Sequence, residues 1–306
     1  MSEHNTNGGF TMPSWMGVAE PDPDLATLVL YTDAAEHLPD PTALLHAWYD
    51  EACAALLPFV QPPGAPAPKA SVTAFEEAAN GMRGQRRRPR DWAEGASLRL
   101  GQLSAHWYDV APGAAELDLY VVRFGGRRHL RLQASVGFAE RSPLIPRVLA
   151  ALIELTQRIA SRVDLAYGEI LRSAAGPTSG TLLDAALRRS PEESADASRH
   201  MLRGYEWVTV CPRELAHRLG GPEGLRATGA FAEVIPLPYG AVLLRATPAP
   251  EEYRGERVRA VFRALAPVLP PGVPRELHEH DFSRLVFADA QQELSGLTGI
   301  ASASPH

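Results

Sequence analysis

Three stretches of this chain, Leu98 to Tyr108, Leu117 to Phe124 and Leu130 to Phe138, alternate apolar and polar residues, and the segments between them (APGAAE, GGR) are hairpin turns. A period of two puts every second side chain on one face, so consecutive segments of this kind have to build an antiparallel meander with one face against a core. Two amphipathic helices flank it. Pro41 to Leu57 follows Asp40 as a candidate N-cap and can place Leu44, Leu45, Trp48, Cys53 and Leu56 on one side. Ser142 to Val163 repeats apolar residues at helical spacing from Ile145 to Val163. Leu25 to Tyr31 and Leu165 to Leu171 read as strands, which makes the first half β-α-β-β-β-α-β. Gln61 to Pro68 must be a loop, and Phe75 to Arg90 reads as a short helix before a basic surface loop, Arg83 to Arg90 (RGQRRRPR).

Between Ser173 and Arg203 the composition turns to Ser, Gly, Pro and charge, with short helices at Thr181 to Arg189 and Glu192 to Met201. Strand Trp207 to Cys211, helix Arg213 to Leu219 with a Gly220-Gly221 C-cap, a hairpin of Phe231 to Leu237 and Ala241 to Ala246, and helix Glu256 to Leu269 then follow. Leu285 to Phe287 reads as a last short strand. The order β-α-β-β-α thus recurs, and the expected fold class is α+β, with two related lobes, each an antiparallel sheet packed by helices. The expected division is a flexible leader (1–24), a first lobe (25–172), a linker with short helices (173–203), a second lobe (204–295) and a tail (296–306). A length of 306 residues suits two domains, and the 45% hydrophobic fraction suits a folded soluble chain.

Two cysteines, Cys53 and Cys211, exclude a disulfide framework and any four-thiolate zinc site, and they point to a reducing compartment. The first residues lack the basic start and apolar run of a signal peptide. The most apolar stretch, Leu144 to Ile159, is interrupted by Arg147, Glu154 and Arg158, so no membrane helix is expected. A cytoplasmic protein is the resulting expectation. Residues 1–78 hold eleven acids against Lys69 alone, a net of −10, and the remaining 25 acids face 29 arginines, a net of +4. Such a field can steer a basic partner or repel nucleic acid.

Chemistry-bearing clusters are sparse. His278 and His280, with Glu279 and Asp281, have His-x-His spacing but no second pair of ligands elsewhere, so a surface loop is expected and no metal. Ser179 in GPTSG lacks the first glycine of a nucleophile elbow. Cys53 and Cys211 read as small core residues. No phosphate-binding glycine motif follows a strand, and the arginine run lacks a groove-reading helix or RNA-binding motif. His106, Trp107, Tyr108 and Asp109 read as a polar-aromatic core edge. No cofactor and no direct nucleic-acid contact are expected.

Leu202 to Pro271 resembles the TsiV-like type VI secretion immunity family, whose members neutralise a VRR-NUC type nuclease effector. The resemblance rests on Gly204 to Trp207 (Gly-Tyr-x-Trp), Leu219 to Gly221, a hairpin ending at Ala246 before a Pro-containing loop, and Leu265 to Pro267 (Leu-x-Pro). The loop ATPAPEEYRGE departs from the family in lacking Gly-Asp. The resemblance implies a cytoplasmic protein that binds a cognate toxin directly and has no catalytic residue. A nuclease's basic cleft would suit the acidic segment of Asp33, Glu36, Asp40, Asp50 and Glu51 as the partner-binding face. The alternatives are a hydrolase or transferase with a site between the lobes, using His106, Asp109, His278 and His280, or a structural subunit of a secretion or phage-like assembly.

Overall fold

The computed structural model describes residues 24–33, 41–77, 83–98, 100–110, 114–124, 129–138, 142–173, 180–276 and 283–293. The first half contains β1 (Asp24–Thr32), α1 (Thr42–Val60), β2 (Lys69–Glu77), β3 (Arg83–Arg87), α2 (Trp92–Ala96), β4 (Leu100–Tyr108), β5 (Glu116–Phe124), β6 (His129–Phe138), α3 (Ile145–Ala160) and β7 (Tyr167–Ser173). After it come α4 (Leu182–Ala186), α5 (Pro191–Asp196), β8 (Val208–Cys211), α6 (Arg213–Arg218), α7 (Gly221–Ala227), β9 (Glu233–Pro236), β10 (Val242–Arg245) and α8 (Glu256–Leu265). Ten strands make one antiparallel sheet in the order β3-β2-β4-β5-β6-β1-β7-β8-β10-β9. The fold is α+β, and the sheets of the two halves join edge to edge where Gly168, Glu169 and Ile170 of β7 pair with Val210, Thr209 and Val208 of β8.

Register explains the layers. Leu30 of β1 lies opposite Leu132 of β6, Leu132 opposite Val121 of β5, and Val121 opposite Leu103 of β4, all buried. This apolar row and the parallel one through Ala134, Leu119 and Ala105 form the face covered by α1 and α3. From α3 the sheet receives Val148, Leu149, Leu152, Leu155 and Ile159, each buried and worth roughly 1.5–3 kcal/mol when fully removed from water. Trp92 donates from Nε1 to the Leu45 carbonyl at 3.0 Å, and Tyr49 stacks on it at 4.8 Å, which fixes α1 against α2. No helix among the described residues is long and apolar enough to cross a membrane.

Several local expectations are corrected. In the segment read as helix and basic loop, residues 75–77 end β2 and 83–87 form β3, with 78–82 outside the described residues; β3 is an edge strand whose exposed arginines hide any alternation. Gly220, at φ +80°, ends α6 but also starts α7, whose Pro222 sits in the first turn. Leu285 to Phe287 has no strand pairing, although Leu285 is buried and Val286 donates its backbone N–H to the Tyr205 hydroxyl at 3.0 Å. The polar stretch from 180 to 203 holds fully buried Asp184, Ser194 and Arg203. Asp40, read as the cap of α1, lies outside the described residues.

Candidate functional site

The face of the sheet opposite α1 and α3 is polar. Along β6 it carries His129, Arg131, Gln133 and Ser135, alternating with the leucine and alanine side chains of the core. Cross-strand register extends each position sideways: Ser135 is opposite Asp118 of β5, Asp118 opposite His106 of β4, and His106 opposite Ser71 of β2. Directly opposed side chains sit about 4.5–5.5 Å apart at Cβ. Ser71, His106 and Asp118 therefore stand in one line across three strands. His106 Nδ1 is 2.5 Å from Asp118 Oδ1. A carboxylate only accepts, so Nδ1 carries the proton and Nε2 keeps its lone pair in the neutral ring. The hydrogen bond to Asp118 raises the His106 pKa above that of a free imidazole, against the opposing effect of burial. Tyr108, exposed, stacks on His106 with centroids 5.6 Å apart, and Tyr120 is pushed up to about 12 by burial. On β2, β4 and β5 this face is half-exposed to exposed, whereas at β6, β1 and β7 it is buried.

In the buried part several polar groups pair with one another, although Arg203 Nη1, Arg131 Nε and His129 Nδ1 make no hydrogen bond. Arg203, 0% exposed, donates from Nη2 to Asp184 Oδ2 at 3.1 Å and from Nε to Ser194 Oγ at 3.1 Å. Asp184 also takes the Ser194 hydroxyl at 2.5 Å. The Arg203 guanidinium carbon lies 4.1 Å from the Tyr31 centroid and 5.6 Å from that of Tyr167. Tyr167 donates its hydroxyl to Glu169 at 2.7 Å, and burial holds that carboxyl above the usual range. Nearby, His129 Nε2 is 3.3 Å from Asp196 Oδ1, and burial lowers the His129 pKa.

The acidic residues expected to face a partner divide. Asp33 accepts two hydrogen bonds from Arg199, both at 2.7 Å. Burial opposes its ionisation, but those bonds outweigh it and hold the carboxyl below its usual value. Arg199 also reaches Asp164 and Glu214 at 3.1 Å, so it joins β1, the segment before β7 and α6. Glu51 pairs with Arg162 at 2.6 Å and Arg158 at 3.4 Å on α3 and just beyond it. Asp50 is exposed. Glu36 and Asp40 lie outside the described residues, as do Ser179, His278 and His280. Among the described acids of the first quarter, Asp24, Asp33 and Glu51 are thus paired with later arginines, Asp24 taking Arg172 at 2.8 and 2.9 Å.

Asp109, placed beside His106 in the enzyme reading, turns instead to Lys69 at 2.7 Å; Asp118 takes its place. Cys211 is buried and Cys53 half-buried, and burial raises both thiols, Cys53 to about 11. Neither is a thiolate near neutrality. Among the described residues no group of three or more His, Cys, Asp or Glu is arranged to hold a metal ion.

The motif residues of 202–271 have packing roles. Trp207, 2% exposed, donates from Nε1 to the Thr247 carbonyl at 2.9 Å. Tyr205 packs on Phe262 with centroids 5.9 Å apart, and Tyr253 donates to the Tyr205 carbonyl at 2.8 Å. Arg218 ties the end of α6 to the Pro267 carbonyl at 2.7 Å. Comparison with protein-family models, curated proteins and solved structures gives no match for this chain.

Proposed function

We propose that the protein is a cytoplasmic immunity protein that neutralises a cognate secreted toxin, a nuclease by the resemblance, through direct binding. The observation that carries this reading is the packing of the motif: Tyr205, Trp207, Gly220 and Pro267 brace a β8-α6-α7-β9-β10-α8 unit. A shared scaffold with a variable outer surface is what a family of toxin binders requires. In this reading the two halves are related lobes on one sheet, and the exposed Asp50 of the acidic segment in the first lobe belongs to the face that meets the partner. The test is co-expression with the product of the adjacent gene, paired with direct binding of the two purified proteins. Rescue of growth and a stable complex are expected; a product that is neither toxic nor bound ends the assignment.

A second reading, a hydrolase of the serine type, is favoured by the Ser71–His106–Asp118 line. Asp118 orients the imidazole, His106 Nε2 would take the proton of Ser71 Oγ as that oxygen attacks an ester carbonyl, and the proton would then pass to the departing alcohol. Water attack, with the proton again held by His106, would release the acid and restore Ser71. A fluorophosphonate probe tests it: an adduct on Ser71 that disappears in His106→Ala supports hydrolysis, and an unmodified Ser71 removes the reading.

A further inference from the structure

We propose that residues 181–203 form a flap over the polar face of the sheet that opens when His129 gains a proton, uncovering Arg131, Gln133 and Ser135. The proposal stands apart from both functional readings and rests on how the segment is built. Thr181 Oγ1 donates to the Arg203 carbonyl at 2.7 Å, so the segment begins and ends at one point. Within it, Thr181 and Asp184 cap α4 reciprocally, and Ser194 and Arg203 both donate to Asp184. Backbone bonds of Leu202 to Val268 at 2.7 Å and of Arg275 to Ala186 at 2.9 Å hinge it on the second half of the chain. Its hold on the first half is polar instead: Arg203 over the Tyr31 ring, Arg199 on Asp33 and Asp196 on His129. The apolar side chains that α4 and α5 bury are Leu183, Ala186 and Ala195. A segment with so few buried apolar contacts is where a fold opens locally, short of global unfolding.

His129 is the contact on the opening side that titrates nearest neutrality. It is 5% exposed, with Nε2 3.3 Å from Asp196 Oδ1 and Nδ1 buried without a hydrogen bond. A carboxylate only accepts, so the neutral ring carries its proton on Nε2 and a second proton has to go to Nδ1, where no acceptor waits. Asp196 on α5 and Asp33 at the end of β1 attract that charge; Arg203 repels it, and Arg131 on the same strand is a further cation. Burial is the largest effect, and it lowers the His129 pKa in the closed protein. With α5 lifted, the ring meets water and titrates near 6.5, so a falling pH favours the open flap by at most about tenfold per pH unit below that value. Opening would extend the half-exposed polar strip of β2, β4 and β5 onto β6, where Ser135 lies opposite Asp118.

Hydrogen exchange of wild type, His129→Gln and Asp196→Asn at about pH 7.5 and about pH 5.0, expressed as protection factors, tests the device. Wild type should lose protection across 182–200 by about five- to 30-fold at the lower pH, while α3 keeps its own. Gln at 129 can still donate to Asp196 but does not titrate, so its flap should change by less than about twofold. That variant also separates His129 from Asp164, whose carboxyl is raised by burial behind Arg199. Asp196→Asn, at a half-exposed position, removes the nearest attraction for the imidazolium and should enlarge the loss. A flap with unchanged protection in wild type, an equal loss in α3, or a pH response that survives His129→Gln would each overturn the proposal.

Discussion

The guanidinium carbon of Arg203 lies over the Tyr31 ring inside the protein, 4.1 Å from its centroid, and the group donates to Asp184, 19 residues earlier in the chain. Both partners are excluded from water, with side-chain exposures of 0% and 1%. Removing Asp184 strands the buried Arg203 charge, and removing Arg203 leaves Asp184 with Arg189 alone, at 3.4 Å, so either loss costs more than the net value of the pair. Arg203→Leu and Asp184→Leu should each destabilise by about 3–5 kcal/mol in urea denaturation. The double variant should recover part of that loss, because neither charge is then stranded. Strict additivity would mean that the two residues do not act as a pair.

Trp207 fills the junction of β8 and β10, its indole held by Thr247. Trp207→Ala should cost about 3–5 kcal/mol through the cavity and the lost hydrogen bond. Tyr108→Ala, on the exposed part of the polar face, should stay within about 0.5 kcal/mol. Equal losses would show that Trp207 is not a core anchor.

The two best-placed histidines should respond to pH in opposite directions. His106 has a raised folded-state pKa, chiefly through Asp118, so its contribution is fully present below the unfolded value near 6.5 and is lost as pH rises through the folded value. His129 has a lowered pKa because it is buried, so its contribution is present above about 6.5 and is lost as pH falls towards the folded value. Titration of the imidazole protons by NMR should place His106 above and His129 below a free histidine, and Asp118→Asn should bring His106 down. An unmoved His106 in that variant would contradict the hydrogen bond.

The meander was legible because Leu103, Ala105 and Trp107 alternate with polar neighbours, and one buried face enforces that period. The same periodicity contained the His106 to Asp118 contact: the two residues are symmetric about position 112 in the hairpin segment, so pairing follows once that register is assumed. Asp109 drew attention instead because it is adjacent in sequence, yet at φ 58° it leaves the strand and turns to Lys69. β3 was hidden for the reason it is tolerated: an edge strand of arginines carries no apolar alternation and resists pairing with another chain. Pro222 in the first turn of α7 was an available helix-start signal that the preceding Gly-Gly obscured. Nothing local marks Arg203 as buried, since its cage of Tyr31, Asp184 and Ser194 is assembled from distant segments.

The acidic segment separates into structural and steering charges. Asp33 is held by two hydrogen bonds from Arg199, so Asp33→Lys should destabilise by at least about 2 kcal/mol before any partner is involved. Asp50 is exposed, and Asp50→Lys should leave stability within about 0.5 kcal/mol. If a basic partner surface approaches α1, the Asp50 variant should associate more slowly, with the difference shrinking as salt rises because exposed charges are screened over about 8 Å at physiological ionic strength. An off-rate change at Asp50 would instead place it inside the contact. Stopped-flow association with the adjacent gene's product at low and high salt distinguishes these outcomes, and unchanged kinetics at both would remove α1 from the encounter surface.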